Sequence, residues 1–342
     1  MDNTSSICRH TPMHNPCLNC SPRNRSLYPT PDKFPFQASK NQEIIQMEEN
    51  KGENSCLEQI PSPHEAIFFV LTYLPLYELL VMSQVCRSLR DAIDKDILPW
   101  MQLLVDRPLN FRISDDILLK TASKATGRLQ VLALMNCVKI TDEGLLRVVA
   151  QNSCINKLHV PSCTNLSAEG IITAVKFLTQ TNPNLNSLRI DGIYGIKKQE
   201  LKTLQELINP NLKSEPNQSK IFYHKKLPTL LHQETNHSID VEVCPICDEV
   251  RMVFDCPRVC GKKCRGCDIC IPRCKECGVC FNGVDELEEA ACVDSLCLDC
   301  WLKLPKCSFC NKPYCNEHAG LQLRLAGSEG FVCDSCHSNH IL

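Results

Sequence analysis

The chain has 342 residues, 43% of them hydrophobic, with 37 Lys and Arg against 39 Asp and Glu for a formal charge of −2. That length allows two or three domains, and the near-neutral charge excludes steering toward nucleic acid by net charge. The 26 cysteines are the extreme feature; Met1–His10 is polar, without the apolar core of a signal peptide, so they are expected to hold metal in the reducing cytosol or nucleus rather than to form a secreted disulfide scaffold. No run nears the ~18 apolar residues of a membrane span, and a soluble protein is expected.

Residues 1–55 carry six of the 21 prolines among Ser, Asn and charged residues, with no helical or strand period. A disordered tail is expected. Within it Cys8, His10, His14, Cys17 and Cys20 could supply four ligands, with Cys17 and Cys20 as the one closely spaced pair.

From Pro63 to Arg90 apolar residues recur at helical spacing. Ile67, Val70, Leu71 and Leu74 form one stripe, which Leu74-Pro75 should close because a residue before proline is biased out of the helical region. Leu79, Leu80 and Ser83 start a second stripe, and Val85, Leu89 and Ile93 a third. Three short helices are predicted, too thin to bury much surface without a partner or the next domain. Proline, acidic residue, apolar run, Tyr73-Leu74-Pro75, a Leu pair and Val85-Cys86-Arg87 resemble an F-box over residues 57–97. Ser62 stands where the family's leading leucine belongs, with Ile60-Pro61 two residues early. The resemblance implies that Pro63, Leu71, Leu74, Pro75, Leu79 and Val85 pack on a Skp-family adaptor and, through it, on a cullin ubiquitin ligase.

Residues 98–208 begin as mixed helix and loop, after which Leu129-x2-Leu132-x-Leu134-x2-Cys137-x2-Ile140 recurs as Ile155-x2-Leu158-x-Val160-x2-Cys163-x2-Leu166 and again from Leu185 to Ile196. This is a leucine-rich repeat pattern, predicting three full repeats behind a partial copy ending at Ile113-Ser114-Asp115-Asp116. Thr141 or Asp142 suits the N-cap of a return helix. Cys137 and Cys163 are read as inward-facing small apolar residues, not ligands. Ala133, His159 and Arg189 are the outward strand positions and the candidates for holding a protein substrate. Residues 209–242, polar and with three prolines, read as a linker.

Between Cys244 and Cys336 there are 18 cysteines in 93 residues. The two-residue gap lets two thiolates of one turn reach a tetrahedral zinc ion at about 2.3 Å. The closely spaced pairs are Cys244 with Cys247, Cys256 with Cys260, Cys264 with Cys267, Cys274 with Cys277, Cys297 with Cys300, Cys307 with Cys310, Cys315 with His318, and Cys333 with Cys336. Eight pairs make four sites; Cys270, Cys280 and Cys292 with His337 or His340 would make a fifth. Aliphatic residues are sparse, so residues 243–342 are expected to form a zinc-stabilised module with little regular structure.

Three alternatives attach to this module. The last eight ligands could interleave as a RING-type ubiquitin ligase. Cys264, Cys267, Cys270 and Cys274 have the spacing of an iron–sulfur cluster run, though Lys275 replaces the usual proline; a zinc cluster with shared thiolates is a third option for the same segment. Nucleic acid could meet a local basic patch of Arg258, Lys262, Lys263, Arg265, Arg273 and Lys275, although the module holds 11 Lys and Arg against 14 Asp and Glu.

Tyr73 to Arg87, the repeats from Leu129 to Leu204, and the run Cys256-Pro257 with Arg265-Gly266-Cys267-Asp268-Ile269-Cys270-Ile271-Pro272-Arg273-Cys274 together resemble plant F-box proteins of the Skp-interacting partner 14 type. The resemblance implies a multidomain chain, α-helical bundle, α/β repeats and zinc module, acting in the nucleus or cytoplasm as the substrate-recognition subunit of a Skp–cullin–F-box ligase. No catalytic residues are expected, since no Ser/His/Asp set, phosphate-cradling Gly loop or paired acid/base carboxylates stand out.

Overall fold

The computed structural model describes residues 64–181, 184–208, 220–223, 237–258, 260, 264–281, 287–324 and 330–340. Pro63 and the Cys8–Cys20 ligand candidates lie outside them. The described residues fall in one compact unit, Ile60–Leu342.

Three helices form near the apolar stripes, with the correction that Val85, read as opening the third, closes the second. Helix α1 (Ala66–Val70) runs into a single 3-10 turn, Leu71–Tyr73, and stops as Leu74 turns extended at ψ 137° ahead of Pro75. Helix α2 (Leu76–Val85) follows, and Cys86, extended at ψ 167°, separates it from α3 (Arg87–Lys95). Leu71, Leu79, Leu89 and Ile93 are the buried side of this bundle. Its thinness is met by continuity: the same apolar core runs through Trp100 and Leu103 into the repeats. Trp100 donates its indole N–H to the Ile93 carbonyl at 2.7 Å, and Lys124 stands 4.2 Å above its ring.

A four-stranded parallel sheet comes next, in the order β1 (Gln102–Val105), β2 (Val131–Leu134), β3 (Lys157–His159), β4 (Ser187–Arg189). Helices α4 (Asp115–Ala122), α5 (Asp142–Gln151), α6 (Ala168–Thr181) and α7 (Lys198–Ile208) return between or after the strands. The register sets Leu103, Leu132, Leu158 and Leu188 side by side. The copy expected to be partial is a whole β/α turn, because Trp100-x2-Leu103-x-Val105 repeats the spacing of Leu129-x2-Leu132-x-Leu134 with tryptophan at the first place. Asn136, Ser162 and Gly192 take the same left-handed backbone position in successive turns. Cys137 and Cys163 are fully buried in the aliphatic core, and the Cys163 thiol donates to the Leu134 carbonyl at 3.2 Å.

A ladder of side chains joins the helix starts. The Asp115 carboxylate accepts from the Thr141 amide (3.0 Å) and hydroxyl (2.7 Å), and Thr141 in turn caps α5 by accepting from the Gly144 amide. One turn on, Asp142 accepts from the Ser167 amide (2.9 Å) and hydroxyl (2.6 Å), and Ser167 accepts from the Gly170 amide. These carboxylates sit where a side chain on the glycine would be: a Cβ on Gly144 would lie 2.0 Å from Asp115 Oδ1, and one on Gly170 2.1 Å from Asp142 Oδ1.

The stretch read as a linker ends inside the fold. Ser238 accepts from the Leu188 amide at 2.7 Å, and the Asp240 amide donates to the Leu188 carbonyl at 3.2 Å, so residues 238–240 continue the sheet beyond β4. Asp240 completes that edge, its carboxylate accepting from the Ile190 (2.8 Å) and Asp191 (3.2 Å) amides. Burial pushes its carboxyl up to about 7, against the opposing pull of those amides. Short antiparallel hairpins then carry the cysteines: β5 (Glu242–Val243) with β6 (Val250–Arg251), β7 (Leu287–Glu289) with β8 (Ser295–Cys297), and β9 (Leu323–Arg324) with β10 (Phe331–Val332). Helices α8 (Leu298–Lys303) and α9 (Asp334–His340) complete the module.

Candidate metal centres and docking face

Three cysteine turns are built alike. In each, the first cysteine's carbonyl accepts from the amide four residues on, and its own amide donates to the carbonyl five residues on: Cys244 with Asp248 and Glu249, Cys274 with Gly278 and Val279, Cys307 with Asn311 and Lys312. The residue after the second cysteine is left-handed in every case, and Asp248, Gly278 and Asn311 are residue types that tolerate this. The turn directs both sulfurs to one side.

Each pair meets ligands from further along the chain. Cys244 and Cys247 meet Cys267 and Cys270; Cys274 and Cys277 meet Cys297 and Cys300; Cys307 and Cys310 meet Cys333 and Cys336. The last two sets use the start of a helix, with Cys297 and Cys300 opening α8 and Cys333 and Cys336 opening α9. At the first of these, burial pushes the Cys297 thiol up, but the Cys300 amide at the helix start and the neighbouring thiols bring it below its ordinary value. The Cys267 amide also donates to Cys244 Sγ (3.4 Å), and the Cys333 amide to Cys307 Sγ (3.3 Å). A further set joins Cys256, Cys260, Cys264 and Cys280, and another joins Cys292, Asp294, Cys315 and His318.

The geometry fits a tetrahedral ion. Bonds of about 2.3 Å put thiolates about 3.8 Å apart across a tetrahedron, and the sulfur separations include 3.9 Å for Cys247 to Cys267, 3.7 Å for Cys256 to Cys280, 3.7 Å for Cys277 to Cys297 and 3.7 Å for Cys310 to Cys333. Every described cysteine is free of disulfide bonds. All 19 predicted ligands, Cys244 to Cys336 with His318, fall into these five sets, and among the described side chains the twentieth place belongs to Asp294 rather than His337, His340 lying outside them. Asp294 carried a weak sequence signal, a carboxylate two residues from Cys292 within a cysteine-dense stretch.

Several pairings read from spacing are corrected. Cys264 and Cys267, two residues apart, go to different centres, and Cys267 pairs with Cys270. The run with iron–sulfur spacing is divided among three centres, so those four cysteines do not surround one cluster, and no thiolate is shared between centres. Cys297 and Cys300 look back to Cys274 and Cys277, so Cys297 to Cys336 is not a self-contained cross-brace. Instead all five centres interlock. The loop closed by each centre contains the first ligands of the next, from Cys244 to Cys336.

The basic patch is largely neutralised. Arg265 pairs with Asp255 (2.7 Å) and Glu242, Lys275 with Glu317 (2.8 Å) and Arg258 with Asp299 (3.7 Å). Arg273 is buried and donates to the Phe254 carbonyl at 2.8 Å. Lys262 and Lys263 lie outside the described residues.

The sheet positions expected to face a substrate are mostly covered. Ala133 is fully buried and His159 is 3% exposed, its Nε2 2.9 Å from Ser187 Oγ; Arg189 is half-buried. Burial, then the Arg189 and Lys157 cations, push the His159 imidazole down to about 3, so it is neutral in the fold. Of the three, only Arg189 keeps appreciable exposure.

In the N-terminal bundle Leu71 and Leu79 are interior, Leu74 and Pro75 half-buried, and Val85 exposed. Two of the predicted adaptor contacts therefore hold the bundle together instead of facing outward. The outward apolar surface is Phe69, Val70 and Tyr73 with Tyr77, Leu80, Val81 and Val85 of α2. Seven exposed large apolar residues on one small bundle suit a protein interface. Among the described residues no helix is long and apolar enough to cross a membrane.

Comparison with known proteins matches both ends. The F-box domain family matches residues 63–101, and the family described as At3g27290 F-box protein C-terminal domain matches residues 240–309. F-box protein SKIP28 of Arabidopsis thaliana is 42% identical over 293 residues, covering 82% of this chain and 92% of that protein. F-box protein SKIP14 is 34% identical over 252 residues (71% of this chain, 55% of that protein), and F-box protein At3g27290 is 35% identical over 222 (61% and 58%), both from the same plant. Against these last two the chain spans a little over half their length.

Proposed function

This chain belongs to the plant F-box proteins, and from that membership we propose that it is the substrate-recognition subunit of a Skp–cullin–F-box ubiquitin ligase, acting in the nucleus or cytoplasm. It performs no chemistry of its own. The observation that carries this is the exposed apolar face of Tyr77, Leu80, Val81 and Val85 with Phe69 and Val70, which buries on a Skp-family adaptor. The β/α turns are leucine-rich repeats forming a rigid spacer, because one aliphatic core joins them to the bundle. The cysteine module binds zinc at five centres and offers the surface that holds a protein target. Holding the target near a charged conjugating enzyme raises the rate of ubiquitin transfer by proximity.

Zinc suits these donors because thiolate, imidazole and carboxylate are all among its ligands and four of them in tetrahedral array close the coordination sphere; closed centres organise folding and supply no catalytic water. Cys244, Cys247, Cys267 and Cys270 would hold one ion, and the other four sets one each.

The test is co-expression with a Skp-family adaptor followed by size-exclusion chromatography, the wild type beside a Val81→Asp, Val85→Asp variant. Both residues are exposed, so the variant keeps its fold by circular dichroism and elutes alone while the wild type co-elutes. A folded wild type that elutes without the adaptor overturns the proposal.

A further inference from the structure

We propose that the centre formed by Cys292, Asp294, Cys315 and His318 is the exchangeable metal site of the module, and that Asp294 makes it so. This rests on reading the module as zinc-binding. The other four centres each offer four thiolates; this one offers two thiolates, a carboxylate and an imidazole. Thiolate is the softest and strongest of these donors toward zinc, and exchanging two of four for harder ligands lowers affinity and opens the site to competing cations. Asp294 Oδ2 lies 3.3 Å from Cys292 Sγ, 3.1 Å from Cys315 Sγ and 3.0 Å from His318 Nδ1, and Cys315 Sγ lies 3.1 Å from that nitrogen. Oxygen and nitrogen bonds of about 2.0 Å give tetrahedral edges near 3.3 Å, so all four atoms fit one ion.

The backbone adds a second, independent observation. Val293, between ligands 292 and 294, closes the three-residue loop of the β7–β8 hairpin and adopts φ +67° there. A β-branched residue is an outlier in that region and persists only where its surroundings impose it. Packing does not impose it here, since Val293 is 74% exposed. Its amide donates to the Ala290 carbonyl at 3.0 Å, and the Ala290 amide to the Asp294 carbonyl at 2.9 Å, which shapes the turn without removing the strain. Metal release removes one of the constraints on this turn, the hairpin ladder being the other, so the strain works against retention at this centre and at none of the three cysteine turns that place Asp, Gly or Asn in the left-handed position. The centre also sits between neighbours: Cys292 packs against both the Cys297 and the Cys333 clusters. Exchange here loosens the join between them while both keep their own ions.

The experiment uses the full chain purified with zinc, its metal counted by native mass spectrometry and its release followed with a metallochromic indicator after adding excess chelator. Five ions are expected, one leaving in a fast phase and four in a slow one. Asp294→Cys abolishes the fast phase with five ions retained; Asp294→Ala carries four ions, all slow. Val293→Gly slows the fast phase without changing the count, which keeps the assignment testable where a ligand variant misfolds. Release of all five in one phase, or a fast phase that persists in Asp294→Cys, overturns it. A wild type purified without zinc overturns the metal reading beneath it, a distinct result.

Discussion

Gly144 shows how one residue can be dictated by a neighbour 29 positions earlier. Its missing side chain leaves room for the Asp115 carboxylate, which would stand 2.0 Å from a Cβ, and that carboxylate holds the Thr141 cap. Gly144→Ala should cost about 1–3 kcal/mol by overpacking, measured by urea unfolding. In an Asp115→Ala background, already missing the Thr141 hydrogen bonds, the same change should cost far less, and equal costs would show that the close approach is not the cause. His159 makes a pH argument at the same scale. Its folded pKa, about 3, lies below the ordinary 6.5, so its stabilising contribution is complete above pH 6.5 and is lost as pH falls toward 3. The wild type should lose up to about 1.4 kcal/mol per pH unit below 6.5 relative to His159→Gln, read as the difference between their melting curves at pH 7.5 and 5.5; a constant difference would refute the buried neutral imidazole. The thiols that gather in fours stood out by their spacing, whereas Asp294 carried only a weak signal, because carboxylates abound and it is the turn at Val293 that brings this one to the thiols.

The helices of the N-terminal bundle were legible element by element. Leu74-Pro75 ends the first where backbone preference puts the break, and an extended Cys86 separates the second from the third. Spacing could not tell which face of each stripe is inward, because an apolar residue satisfies either a core or an interface. Leu79 is 2% exposed and Val85 65%, yet both stand in apolar stripes. Leu79→Ala should therefore destabilise the chain by about 2–5 kcal/mol, while Val85→Ala should change unfolding by less than about 0.5 kcal/mol and act on adaptor binding instead. Urea unfolding of the two separates these roles, and a large loss from Val85→Ala would move that residue into the core. Strand β1 escaped notice because Trp100 replaces the first leucine and the stretch to Ile113 is two residues longer than its counterpart from Leu134 to Ile140. The sheet's last edge escaped because its apolar signal is only Ile239 and Val241, with Ser238 before them and Asp240 between them joining the sheet by hydrogen bonds.

For the whole molecule, two kinds of cohesion meet near Asp240. On one side a continuous aliphatic core runs from Leu71 to Val241. On the other, three small clusters mix cysteines with a few aliphatic and aromatic side chains such as Val253, Val279, Leu296, Tyr314 and Phe331. Apolar burial should sustain the first part without metal, whereas on the zinc reading proposed above the second depends on ligand bonds for its folding energy. Because each ligand loop contains the start of the next, opening one centre removes a constraint on its neighbour, so the module should unfold from Cys244 to Cys336 once several ions leave. Hydrogen exchange with and without a strong chelator reads this directly. Amides of strands β1 to β4 and helices α4 to α7 should keep their protection, those from Cys244 onward should lose it, and the Ile190 and Asp191 amides held by Asp240 should mark the border. Loss of protection throughout the sheet would mean that the metal centres support the repeats as well, and that the aliphatic core cannot stand alone.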